Sequence, residues 1–197
     1  MKAEKNRQIV DVRSKFKKFR WYMAPRKAVL IKRYAKGRVL NVGSGSMYLK
    51  NAINLDINRG KPVDVLADFH FLPFKDKVFD VCFAFDVIEH SNRPEILLRE
   101  LERVCKNEGN IIIETADFDV VPKNWIADKD HKTYMNKKIF RELLGERYSL
   151  FNIGKEMLIG VKKSSILDRL FYRLLTILVA IYKKLTMQPK DRTTHWR

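Results

Sequence analysis

Cysteine is scarce: Cys82 and Cys105 are the only two in 197 residues. Neither belongs to a Cys-x-x-Cys pair or to a metal-ligand spacing. That excludes a disulfide scaffold and a structural zinc module, and predicts two reduced core thiols in a cytosolic protein. No apolar run reaches the roughly 20 residues that a confident membrane span needs. The first residues carry no secretory core, because their apolar side chains stand singly among Lys and Arg. Internal repeats and low-complexity tracts are absent as well. With 46% hydrophobic residues the chain has enough apolar material for one folded core, which excludes a mainly disordered polypeptide.

Acids are few at both ends. Residues 1–38 hold 14 Lys/Arg against two acids, and residues 162–197 hold nine against two. Residues 39–161 hold 17 against 19, so the net charge of +17 sits in the flanks and the middle is nearly neutral. Basic flanks attract polyanions such as nucleic acid or an anionic membrane face, or serve as solvated, solubilising runs.

From Arg38 onward, short apolar runs alternate with amphipathic stretches, the pattern of an α/β fold. Strands are predicted at Val39–Val42, Ile53–Ile57, Val63–Leu66, Val78–Phe85 and Ile111–Ile113. A hairpin of Tyr148–Ile153 and Met157–Val161 closes the series through Gly154-Lys155-Glu156. One helix begins after Ser91 or Asn92 as cap, takes Pro94 in its first turn, and repeats Leu97, Leu101 and Val104. Gly109 is expected to end it in a left-handed conformation. A second helix is predicted near Lys137–Leu144. The chain divides into a basic helical extension (1–37), a central domain (38–163) and an amphipathic basic helix with tail (164–197). In the extension, Phe16, Phe19, Trp21 and Met23 sit among basic residues. In the last segment Leu167, Leu170, Phe171, Leu174, Leu178, Ile181 and Leu185 share one helical face. That face suits either a membrane interface or packing on the domain or on a second subunit.

Chemistry gathers after the first two strands. Val42-Gly43-Ser44-Gly45 turns sharply where an open parallel sheet binds its ligand. Asp56, ending the second strand, can accept the hydroxyl hydrogens of a ribose. A dinucleotide fingerprint wants a third glycine and a long helix facing the pyrophosphate. Here position 48 is Tyr48, and Gly43 and Asp56 are close in sequence. The short interval favours a nucleoside cofactor without a diphosphate, such as S-adenosylmethionine, over NAD.

These segments, with Ala67-Asp68-Phe69-His70-Phe71-Leu72-Pro73-Phe74, Phe79-Asp80-Val81, Asp86-Val87-Ile88-Glu89-His90 and Arg99–Lys106, resemble in order the motifs of class I S-adenosylmethionine-dependent methyltransferases, over residues 38–161. The resemblance implies a Rossmann-like, doubly wound, mostly parallel seven-stranded sheet with one antiparallel strand, flanked by the basic and amphipathic helices. It implies that Gly43, Ser44 and Gly45 pass under the methionine part of S-adenosylmethionine, that Asp56 holds its ribose, and that Asp68 and Phe69 border its adenine. Asp86 would lie near the sulfonium and amino end. Many family members carry an acid where this chain has Asn41, whose amide would meet the ammonium without a charge. His90 is the candidate general base, or a helix cap, and His131 falls where similar proteins border the acceptor. No metal is called for. Asp86-Val87-Ile88 stands where enzymes acting on base amino groups carry Asn/Asp-Pro-Pro-aromatic, and neither cysteine is placed for attack on a pyrimidine. The expected acceptor is a small molecule, a lipid or a glycan, with an anionic membrane surface as possible partner. Rival readings are an RNA-binding or RNA-modifying protein using the flanks, and a non-catalytic partner that keeps the fold.

Overall fold

The computed structural model describes residues 24–59, 61–121, 123, 129–153, 156–162 and 166–186. The predicted aromatic and basic helix around Phe16–Met23 lies outside them. Seven strands form one sheet: β1 (Val39–Val42), β2 (Ile53–Asp56), β3 (Val65–Leu66), β4 (Phe79–Phe85), β5 (Cys105–Ala116), β6 (Tyr148–Ile153) and β7 (Met157–Lys162). Their order is β3-β2-β1-β4-β5-β7-β6. β1 to β5 pair in parallel, and β7 runs antiparallel to both β5 and β6. It is therefore the one reversed strand of a mostly parallel, doubly wound α/β sheet.

The central strands are apolar on both faces because both are covered. Every residue of β1 is buried, and so are all of β4 but Asp80. One face packs Leu40, Cys82, Ala84 and Ile113 against Leu97, Leu101 and Val104 of α2 (Pro94–Val104) and Phe140 and Leu144 of α3 (Lys137–Leu144). The other packs Val39, Val81, Phe83 and Ile159 against Leu30, Ile31 and Tyr34 of α1 (Ala24–Tyr34) and Tyr172 and Leu175 of α4 (Ile166–Thr186). Two contacts tie α1 and α4 together. The Tyr172 hydroxyl lies 3.4 Å from that of Tyr34, and the Arg33 guanidinium sits 4.3 Å from the Phe171 ring centre. Tyr172 also stacks on Phe151 of β6 at 4.0 Å.

Boundaries differ from the sequence expectation at both ends of α2, in β3, and in β5, which is longer than Ile111–Ile113. α2 stops at Val104, with Cys105 already extended, so Gly109 does not end the helix. It lies within β5, where a Cβ would meet Cys105 Sγ at 2.6 Å and the Asp80 carbonyl oxygen at 2.8 Å. Close packing, and not a left-handed turn, demands glycine there. The start of α2 is Arg93 without a side-chain cap; Ser91 Oγ instead accepts from the Arg93 amide at 3.0 Å. β3 is shorter than Val63–Leu66 because Asp64 turns its carboxylate onto Asn54, accepting from its amide and side-chain nitrogens at 2.8 and 2.9 Å.

β7 meets β5 in a register that sets Met157 opposite Ala116, and the Asp117 amide donates to the Glu156 carbonyl at 2.7 Å. β6 therefore ends, and β7 begins, at the end of the sheet where the parallel strands finish.

Candidate functional site

The order of strands reverses between β1 and β4, and the chain leaves both at the same end of the sheet, where an open α/β sheet forms its crevice. After β1, Gly43 and Gly45 take φ of +60° and +52°. A Cβ on Gly43 would collide with Val87 at 2.4 Å, whereas a Cβ on Gly45 would meet nothing nearer than 3.9 Å. Gly43 is thus fixed by packing, and Gly45 holds its backbone open to the crevice. The Gly45 amide donates to Asp56 Oδ2 at 2.7 Å, and the Asn58 amide to Oδ1 at 2.8 Å. These two bonds orient the Asp56 carboxylate at the end of β2 and leave lone pairs for further donors.

Asn41 lies beneath this turn, fully buried. Both hydrogens of its amide are used, on the Met47 carbonyl at 2.8 Å and Asn54 Oδ1 at 3.0 Å. Asn54 in turn accepts from the Leu49 amide and donates to the Leu49 carbonyl. The pair is a buried bracket for the glycine turn, a role that sequence reading gave to neither residue. Ser44 is buried too; its amide donates to the Leu55 carbonyl at 3.0 Å.

Asp68 faces a histidine that the sequence analysis passed over. Asp68 Oδ1 lies 2.8 Å from His70 Nδ1, and His70 Nε2 lies 2.7 Å from Ser91 Oγ. A carboxylate only accepts, so Nδ1 carries the proton and Nε2 accepts from the Ser91 hydroxyl. Phe69 tilts against the His70 ring at 4.5 Å. The following loop is clamped from α2: Arg103 donates to the carbonyls of Leu72 and Phe74 at 2.9 and 2.7 Å and pairs with Glu100 and Asp76.

Beyond β4 the site becomes charged and dry. Asp86 has φ of +52°, and its amide donates to the Glu114 carbonyl at 2.9 Å. Its carboxylate pairs with Lys27 of α1, whose Nζ is also 3.8 Å from Glu114 Oε1. Glu114 is fully buried and Glu89 nearly so. Burial, reinforced by the Asp86 charge, pushes the Glu89 carboxyl up to about 8. Burial likewise raises Glu114, against the pull of Lys27 and Arg26. For Lys27 burial works downward, yet the charges of Asp86 and Glu114 outweigh it and its pKa rises. The structure thus joins Asp86 and its neighbour Glu89 to two groups, Lys27 and Glu114, that are remote in sequence. No motif marks Lys27 or Glu114, although their burial is what a charge in an apolar run would suggest.

His90 follows Glu89 in a short 3-10 turn. Its Nδ1 lies 3.0 Å from the Asp130 carbonyl, so Nδ1 donates and Nε2 is the basic nitrogen. His131 packs against it, with ring centres 4.9 Å apart, and against Phe118 at 5.1 Å. The amides of Lys132 and Thr133 donate to the Glu89 carbonyl at 2.8 and 3.0 Å, which fastens the two histidines to one another. Glu89, His90 and His131 each offer one donor atom within 4.8 Å of the others, a group able to share a proton or a small cation. No spacing in the sequence announces it.

Residues 28–113 match the model of a family described as a methyltransferase domain. Over 104 residues, 45% of this chain, the sequence is 36% identical to the uncharacterized protein MJ1252 of Methanocaldococcus jannaschii, and the match spans 39% of that protein's length. The fold is similar to that of the PH0226 protein of Pyrococcus horikoshii, with a TM-score of 0.59 at 18% identity over 76% of this chain and 92% of the other. It is also similar to a Thermotoga maritima protein described as a SAM-dependent methyltransferase and possible histamine N-methyltransferase. There the TM-score is 0.54 at 20% identity, over 72% of this chain and 89% of that one.

Proposed function

We propose that this chain, which shares the fold of methyltransferase structures and matches a methyltransferase-domain model over residues 28–113, binds S-adenosylmethionine and passes its methyl group to a small-molecule, lipid-linked or glycan acceptor. The observation that carries this reading is the Asp56 carboxylate, aimed by the Gly45 and Asn58 amides at the carboxyl end of β2 beside the open face of Gly45.

The residues present fit the cofactor. Asp56 keeps acceptor capacity for two ribose hydroxyls. Asp68 and Phe69, fixed by His70 and by the Arg103 clamp, suit an adenine edge and face. Asp86, partly exposed beside Lys27, keeps acceptor capacity for a cationic ligand end. When bound, the cofactor supplies an electrophilic methyl group on a sulfonium. The chain's own task is then alignment and exclusion of water. His90 holds a proton-accepting Nε2, kept in that tautomer by the Asp130 carbonyl, and can relieve an acceptor of its proton. His131 and Phe118 form a wall of rings on which a flat acceptor would lie. The free, buried thiols of Cys82 and Cys105 accord with a reducing, cytosolic setting.

Calorimetric titration of S-adenosylmethionine and S-adenosylhomocysteine into wild type and Asp56→Ala tests the proposal. Micromolar-range binding, weakened by about 1–3 kcal/mol in the variant, is expected. Absence of binding to the wild type would sink the reading. His90→Ala is expected to keep cofactor binding and to lower methyl transfer by roughly 10²–10⁴-fold if the acceptor must lose a proton.

A further inference from the structure

Helix α4 presents two apolar faces. One is consumed by the domain: Tyr172 and Leu175 are buried against the sheet, and Thr176 Oγ1 donates to the Asn152 carbonyl at 2.7 Å. The other faces outward and contains Leu167, Leu170, Leu174, Ile177, Leu178 and Ile181, between 49% and 70% exposed. These positions recur every three or four residues and form one continuous stripe of helix. A monomer rarely leaves so large a connected apolar surface in water without a partner.

We propose that this stripe lays the protein on an anionic lipid surface, with α4 lying in the interface. The helix segment 166–186 carries four Lys/Arg and one acid, and residues 162–197 carry nine and two. Arg169 and Arg173 are exposed and follow the stripe along one side. An interface of acyl chains under anionic headgroups satisfies both features at once. A second copy of the chain would satisfy only the apolar one: two such helices, each in a molecule of net charge +17, would bring like charges together. Among the described residues no helix is long and apolar enough to cross a membrane, so the contact is one of lying on the surface. The domain contributes by holding the helix in place before it docks, which removes the ordering cost that a free peptide would bear. The inference does not depend on the cofactor reading.

The test is flotation of the full chain with vesicles of phosphatidylcholine alone and of phosphatidylcholine mixed with phosphatidylglycerol, at low and physiological salt. The wild type is expected to float with the mixed vesicles, at least tenfold more than with the neutral ones, and less as salt rises. Leu174→Glu with Leu178→Glu is expected to reduce flotation at least tenfold with an unchanged thermal melt, since both positions are exposed. Leu170→Gln with Ile181→Gln should act in the same direction without adding charge. Failure of the wild type to float with mixed vesicles would overturn the proposal, as would flotation of both double variants equal to that of the wild type. So would sedimentation showing a lipid-free dimer that the substitutions dissolve, because the stripe would then belong to a second copy.

Discussion

Glu89 is a carboxyl group whose folded environment keeps its proton. Its pKa lies near 8 instead of the ordinary 4.5, so between those values the native state binds a proton that the unfolded chain has released. Stability contributed by Glu89 therefore falls as pH rises from about 4.5 through 8. Glu89→Gln should flatten that slope and become the more stable protein above pH 8, by about 2–4 kcal/mol. Urea unfolding across pH 5–9 measures the difference; parallel curves would show that Glu89 is ionised throughout. Gly43 makes a separate point about sterics. Gly43→Ala should cost about 1–3 kcal/mol and weaken cofactor binding, and Val87→Ala in the same chain should restore part of both, because Val87 is what the new methyl strikes. At this scale the glycine turn and Asp56 were legible as candidates because periodicity locates their strand ends, whereas Asp68 came from the family resemblance and His90 from its type and its place after the fourth strand. Lys27, His70 and Glu114 were not. Lys27 meets Asp86 and Glu114, and His70 meets Ser91, only because the folded sheet turns long sequence separations into contact.

Among elements, α2 illustrates how a helix can serve a loop. Its buried face fills the core, while Glu100 and Arg103 reach over its edge to hold the backbone at Leu72 and Phe74. The same bonds lower the Glu100 pKa, with the Arg103 hydrogen bond as the main cause and burial opposing it. Arg103→Ala leaves two carbonyls and a half-buried carboxylate without their donor. A loss of about 1–3 kcal/mol is expected in thermal unfolding, together with weaker binding on the Asp68 side of the site. The position of α2 was readable from its leucine spacing, and α3 from Lys137 to Leu144 matches the predicted span. Gly109 looks like a helix terminator, whereas it is dictated by the Cys105 thiol of its own strand and by the Asp80 carbonyl of the neighbouring one. Periodicity reports faces; it does not report which backbone passes close by.

At the scale of the whole molecule, helices α1 and α4, one from each basic flank, meet on one face of the sheet through Tyr34, Tyr172, Arg33 and Phe171. Tyr172→Ala should therefore destabilise the entire domain by about 3–5 kcal/mol in denaturant unfolding, while Tyr172→Phe should change little, since the shared hydroxyl contact is long. Composition alone showed that the flanks were basic and the middle neutral. It could not show that α1 completes the core and sends Lys27 to Asp86, because a helix rich in Lys and Arg reads as solvated until its buried face is seen. The reversed strand has an effect of its own. By running backwards, β7 starts at the rim where Asp117 and Phe118 begin the wall beside the histidines, and Glu156 meets the Asp117 amide there. A change of side chain at Glu156 would therefore alter that rim while the pairs from Met157 onward stay in register.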